Sequence, residues 1–145
     1  MNLNNLTCFN FYSGWRAVNT IYKNVLGSGI SPQQVYVLEL LDHNKPLLFS
    51  TIQEQLGIDQ SALSNMLKRM EKSNLIIKNK DLTDKRVILL KLTQQGYSFR
   101  EQLRAKYDAL NKALDIQING DELNHLKNIV KNMHHQGNMT FTQDL

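Results

Sequence analysis

One cysteine, Cys8, excludes an intrachain disulfide and suits a reducing cytoplasm, where the chain is expected to work. Two prolines and seven glycines in 145 residues exclude collagen-like and low-complexity classes. No apolar run approaches the ~20 residues that a membrane-spanning helix needs, so no membrane partner is expected. The opening stretch MNLNNLTCFNF lacks a basic region followed by an apolar one, and no secretion signal is expected from it. The four histidines, His43, His125, His134 and His135, form no cluster with metal-ligand spacing, so no metal is expected. Nucleophile-base pairs, glycine-rich phosphate loops and paired carboxylates are missing too, which argues against an enzyme and against a cofactor.

What is present is a chain of single-domain size with an ordinary hydrophobic content of 41%. Such a chain buries a core without metal or disulfides. The net charge is +4, unevenly spread. Between Lys68 and Lys91 eight basic residues face three acidic ones, so that window carries +5 and the remainder −1. A concentrated basic patch is the electrostatic footprint of a nucleic-acid binder.

Apolar periodicity predicts six helices. From Leu6 to Leu26, Phe9, Tyr12, Val18, Ile21, Tyr22 and Val25 recur at helical spacing, and Gly27-Ser28-Gly29 ends the run. Ser31 and Pro32 start a second helix as N-cap and first helical residue, with Val35, Leu38 and Leu41 inward. A turn at residues 42–46 and a very short strand near Leu47–Phe49 lead to a third helix, from about Ser50 to Leu56, stopped by Gly57. Asp59 caps the fourth helix, whose inward stripe is Leu63, Met66, Leu67 and Met70. Thr93 caps a fifth, from about Gln94 to Leu114, striped by Phe99, Leu103, Tyr107, Leu110 and Leu114. Asn119 and Glu122 form a capping-box pattern before the sixth, with Leu123, Leu126, Ile129, Val130 and Met133 inward. The tail after His135 reads as frayed.

Between the fourth and fifth helices, residues 75–80 and 87–92 are β-rich and flank a polar loop, the pattern of a hairpin. The outer face of the fourth helix carries Ser61, Ser64 and Asn65, short groups suited to base edges. Lys68 and Lys72 further along suit phosphates. The hairpin tip carries Lys80, Lys85 and Arg86. A thin element bearing arginine suits a narrow, electronegative minor groove, and Asp84 is expected to brace that arginine. Gln60 and Arg69 complete the candidate interface. The expected fold is mainly α with a small β-hairpin: a winged helix-turn-helix DNA-binding lobe over residues 30–93, and a helical dimerisation region over residues 1–29 and 94–137. Together they make one domain over residues 1–145.

Asp84-Lys85-Arg86, then Leu92-Thr93, then Gly96 resembles the wing pattern of the MarR family of bacterial transcription regulators, and the likeness in order and spacing of elements covers about Leu6 to Met133. Cys8, Phe9, Tyr12 and Arg16 resemble the first helix of that family's one-cysteine peroxide sensors, the OhrR and MgrA/SarZ group. The resemblance implies a homodimer on a pseudo-palindromic double-stranded operator, most often as a repressor. It implies oxidation of Cys8 by peroxide to a sulfenic acid, and release of DNA. Tyr12 lies one turn from the thiol, and Tyr22 stands where that group has a tyrosine. A second tyrosine is replaced by Pro32, with Tyr36 one turn further. Two alternatives stand beside the peroxide reading. In one, an aromatic small molecule occupies a cleft between the lobes, lined by residues such as Trp15, Tyr22 and Tyr36. In the other, the winged helix is a module for protein contact.

Overall fold

The computed structural model describes residues 1–114 and 119–137, in two compact units, Met1–Leu114 and Asp115–Leu145. The first unit opens with a 3-10 turn, Leu3–Asn5, that no periodicity announces; the Asn2 side chain caps it by accepting from Asn4 N. Helices α1 (Thr7–Leu26), α2 (Pro32–Leu40), α3 (Phe49–Leu56) and α4 (Gln60–Lys72) follow, with strand β1 (Leu47–Leu48) between α2 and α3. Strands β2 (Ile76–Lys80) and β3 (Ile88–Leu92) lead into α5 (Gln94–Arg104) and α6 (Tyr107–Leu114). The second unit contains α7 (Gly120–Gly137). No helix among the described residues is long and apolar enough to cross a membrane.

The caps form where the residue types place them. Ser31 Oγ accepts from Gln34 N at 3.3 Å, and Gln34 Oε1 accepts from Ser31 N at 2.9 Å, a complete capping box. Asp59 accepts from Ser61 N and Ala62 N. Thr93 Oγ1 accepts from Gly96 N at 2.8 Å. Asn119 and Glu122 exchange the reciprocal bonds of a second capping box at the head of α7.

The core of the first unit gathers Val35, Val37, Leu38 and Leu41 of the α2 segment, Ile52 of α3 and Leu63, Met66, Leu67 and Met70 of α4. Ile76, Leu90 and Leu92 close it from the sheet, and Tyr22, Leu26, Leu103 and Leu110 from the remaining helices. β1 pairs antiparallel with β3, as β2 does, so the expected hairpin is part of a three-stranded sheet of order β1-β3-β2.

The fifth predicted helix is two. The chain breaks at Ala105-Lys106, where Lys106 N donates back only three residues, to Leu103 O, in a 3-10-like tightening. No glycine or proline marks the spot. The break falls between Arg104 and Tyr107, and both donate to one carboxylate of α2. Arg104 reaches Glu39 Oε2 at 2.7 Å and Tyr107 Oη reaches Oε1 at 2.6 Å. α7 runs to Gly137, two residues past the predicted fraying point; the rest of that tail lies outside the described residues.

Gly96 answers a close approach. A Cβ there would run into the backbone carbonyl of Leu75, so the first turn of α5 lies directly on the chain leaving α4. Thr93 Oγ1 also donates to Asn74 O at 2.6 Å, and Thr93 N donates to Leu75 O at 3.1 Å. Asn74 itself adopts the left-handed conformation, φ 59°, that lets the chain turn from α4 into β2.

Arg104 chiefly, and the Tyr107 hydroxyl with it, hold the Glu39 carboxyl below the usual carboxylate range. A depressed folded-state pKa means stability present above the unfolded value, near 4.3, and lost as pH falls through the folded one. The pair is partly solvated, so Glu39→Gln should cost roughly 1 kcal/mol at pH 7. That difference should shrink towards zero as pH drops below ~4. Urea unfolding of both proteins at several pH values measures it; a difference constant with pH would show that the charge on Glu39 contributes nothing.

Candidate nucleic-acid interface

α4 presents two faces with different chemistry. Leu63, Met66, Leu67 and Met70 are buried. At 100° per residue, Ser61, Ser64, Asn65, Lys68 and Lys72 fall together on the opposite side, with Ser64 half-buried and the others exposed. Asp59 sits at the head of the helix with both carboxylate oxygens occupied by backbone amides. The outer face therefore offers hydroxyls and an amide first and ammonium groups later.

The two remaining residues of the expected set lie on the flanks of that face. Gln60 and Ser64 line a notch of about 300 Å3 together with Arg86, Phe49, Ser50 and Ile88, so the head of α4 and the root of the wing share one concave surface. Arg69 turns the other way. It lines two cavities, of about 540 and 470 Å3, that share Gly29, Ile30 and Gln34. The structure thus gathers Ser61, Ser64, Asn65, Lys68 and Lys72 on one face, sets Gln60 beside the wing, and puts Arg69 against the turn before α2.

In the wing, Asp84 grips Arg86 three times: Oδ1 accepts from the backbone N at 3.0 Å and from Nε at 3.2 Å, and Oδ2 from a terminal nitrogen at 3.4 Å. The guanidinium first, and the backbone amide next, hold the Asp84 carboxyl below its ordinary range. The Arg86 side chain is nonetheless 91% exposed. Lys80 and Lys85 are exposed alongside and form no ion pair among the described residues.

The residues expected for redox sensing are divided. Cys8 is exposed on α1, and Tyr12, one turn on, is exposed too. Tyr22 is buried and meets Tyr36 edge to face, with centroids 6.5 Å apart. Burial first, and the Tyr36 hydroxyl next, push the Tyr22 phenol up to about 12. Fourteen residues of helix separate Cys8 from Tyr22, roughly 21 Å along the axis, so within one chain the thiol and the tyrosine pair do not meet. Trp15 is exposed on α1, and Trp15, Tyr22 and Tyr36 are absent from the lining of the two cavities beside Arg69, of the notch beside Arg86 and of a hollow along Leu126 and Val130.

Sequence reading missed Arg100. It is 6% exposed and donates to Leu41 O at 2.6 Å and Leu38 O at 3.3 Å. A signal existed: Arg100 lies on the inward stripe of its helix, four residues after Gly96 and three before Leu103.

A three-helix lobe with an exposed polar helix and an arginine-tipped hairpin is a winged helix-turn-helix. The chain matches the model of the MarR family over residues 30–88. It is 35% identical over 103 residues to the organic hydroperoxide resistance transcriptional regulator of Bacillus subtilis (strain 168), covering 70% of each chain. It is 30% identical over 128 residues to the HTH-type transcriptional regulator MgrA of Staphylococcus aureus, covering 86% of this chain and 87% of that one. The crystal structure of overoxidized AbfR bound to DNA superposes with a TM-score of 0.73 at 25% identity, over 92% of this chain and 93% of that one. The chain belongs to the MarR family and is a DNA-binding transcriptional regulator.

Lys85→Ala should weaken DNA binding similarly on all sequences and lower the slope of log K against log salt by ~1 for each wing in contact. Asp84→Ala should weaken binding without lowering that slope, because it removes a brace and no cation. Fluorescence anisotropy at four salt concentrations separates the two. A Lys85→Ala slope equal to that of the wild type would remove the wing from the phosphate contacts.

Proposed function

We propose that the chain is a homodimeric repressor that leaves its operator when Cys8 is oxidised. Residues 30–93 act as the DNA-binding lobe, and residues 1–29 with 94–137 as the dimerisation region. α4 of each subunit enters a major groove, with Ser61, Ser64 and Asn65 towards base edges, Gln60 beside them, and Lys68 and Lys72 towards phosphates, whereas Arg69, turned towards the chain before α2, drops out of the contact set. Each wing brings Arg86, braced by Asp84, to a flanking minor groove, with Lys80 and Lys85 on its backbone. Two-fold symmetry calls for a pseudo-palindrome with half-sites ~34–36 Å apart.

The observation that carries the dimer is exposed apolar surface at helical spacing. On α1 and just before it, Leu3, Leu6, Tyr12 and Trp15 are exposed around Cys8; on α7, Leu123, Leu126, Val130 and Met133 are exposed along one stripe. Isolated exposed apolar residues need no explanation, but stripes of them mark interaction surfaces. A two-fold interface covers the same stripe on both chains.

Oxidation then acts inside an interface. The Cys8 thiolate attacks the distal oxygen of an organic hydroperoxide; the O–O bond breaks, the alcohol leaves, and sulfur becomes a sulfenic acid. Capping by a small thiol releases water and adds bulk. A bulkier, more polar residue at that position favours a different dimer geometry and a different spacing of the two α4 helices. The names of the two relatives support this reading: one is a regulator of organic hydroperoxide resistance, and the solved neighbour was captured overoxidised.

Leu126→Glu should shift the protein from dimer to monomer in sedimentation and weaken operator binding by more than tenfold, since two half-sites no longer bind together. A dimer that persists unchanged would exclude the α7 stripe from the interface. For the switch, cumene hydroperoxide should release wild-type protein from its operator in a gel shift, and Cys8→Ser should stay bound. Release of the serine variant at the same dose sinks the oxidation mechanism and leaves an aromatic ligand as the alternative effector.

A further inference from the structure

The wing tip carries one side chain with no evident partner in the fold. Leu82 is 100% exposed. Single exposed leucines are ordinary on protein surfaces. This one stands on a loop whose every turn is pinned. Asp81 Oδ1 accepts from Thr83 N at 2.8 Å and from Thr83 Oγ1 at 2.7 Å. Asp81 N donates to Val87 O at 2.9 Å, and Val87 N to Asp84 O at 3.0 Å. Asp84 Oδ1 accepts from Arg86 N at 3.0 Å. Asp81 and Asp84 are half-buried, whereas Leu82, Thr83, Lys85 and Arg86 are exposed. The loop draws its acids in and turns out two cations, a hydroxyl and a leucine.

A surface of that composition fits one feature of duplex DNA. The minor groove is about 6 Å wide, so only a thin element enters. Its floor carries acceptor atoms and a strongly negative potential, which suit a guanidinium. Its walls are the C–H faces of deoxyribose rings, which suit an aliphatic side chain. A phosphate contact has no use for leucine, whereas a sugar wall does.

We propose that Leu82 is a DNA contact, packed against the deoxyribose wall of the minor groove beside the point where Arg86 enters. The inference rests on the wing assignment of the proposed function. Because the loop is pinned before DNA arrives, little ordering cost opposes the contact. Because leucine displaces water and no counterions, its contribution is independent of salt. That property distinguishes it from every basic residue of the wing.

The test uses a duplex selected by the full-length wild-type protein from a random-sequence pool. Affinities of wild type, Leu82→Ala, Leu82→Gln and Lys85→Ala are measured across a salt series, with hydroxyl-radical footprints of each complex. At full exposure neither Leu82 substitution removes a packing contact, and equal melting temperatures confirm intact folds. Both Leu82 variants should bind about fivefold more weakly per wing, roughly 25-fold for the two wings of the dimer, as expected for losing roughly half of a leucine's burial at each. Their salt slopes should run parallel to the wild type, while that of Lys85→Ala falls by ~1 for each wing in contact. Their footprints should lose protection only at the sugars under the wing. Wild-type affinity in Leu82→Ala, or a salt slope that changes with it, overturns the contact. So does a change in the sedimentation of the DNA-free protein, which would assign Leu82 to a protein partner. A wild-type protein that selects no duplex overturns the regulator reading as well, so the two failures are distinct.

Discussion

The buried guanidinium of Arg100 ties the lobe together. A charge taken out of water is costly unless its hydrogen bonds are met. Arg100 meets part of that demand through Nη1, which donates to the last carbonyls of the α2 segment, Leu38 O and Leu41 O, where the helix's own bonding partners run out and its dipole is negative. Its Nε lies 3.6 Å from Glu101 Oε1, and its guanidinium stands 5.1 Å from the centre of the Tyr97 ring. A neutral or shorter side chain would leave two helix-end carbonyls unpaired in the core. Through this residue α5 is tied to the end of α2.

α5 is also the helix to which both elements proposed to face DNA, α4 and the wing, are attached. β3 runs into it through Thr93, so the wing is its direct continuation. Thr93 and Gly96 bring its first turn onto the chain leaving α4. Glu39, held by Arg104 and Tyr107 on either side of the α5–α6 break, makes a second tie to α2. α4 and the wing therefore both rest against the first turn of one helix, α5. The Leu-Thr and Gly of the wing pattern are the residues that make this attachment: a buried Leu92, a capping Thr93, and a Gly96 that permits backbone contact.

Electrostatically the interface sorts its charges by satisfaction. Asp59, Asp81 and Asp84 all lie near the surface offered to a polyanion, and each is occupied by amides, a hydroxyl or a guanidinium of its own chain. The lysines of the same region have no such partners among the described residues. Acids with local work and cations without it produce a positive surface from a mixed sequence.

Much of this was legible in the sequence, and the limits have physical causes. Caps and stripes are local, so Ser31, Asp59, Thr93 and Asn119 announced their helices, and the α4 stripe announced its buried face. The break at Ala105-Lys106 was not legible, because no residue there disfavours helix and the Glu39 carboxylate that grips both sides comes from α2. β1 was readable only as a short strand, since its partner β3 lies some forty residues away in sequence. Arg100 on an inward stripe was a visible anomaly whose answer lay in another helix. Cys8 and Tyr22 share a helix by sequence, yet helical rise keeps the thiol away from the Tyr22–Tyr36 contact in one chain. Sequence alone determined the elements, their polarity and the family pattern, because those depend on neighbours three or four residues away. Only the tertiary structure decided how α5 couples wing to recognition helix, because that depends on carbonyls and carboxylates brought in from elsewhere in the chain.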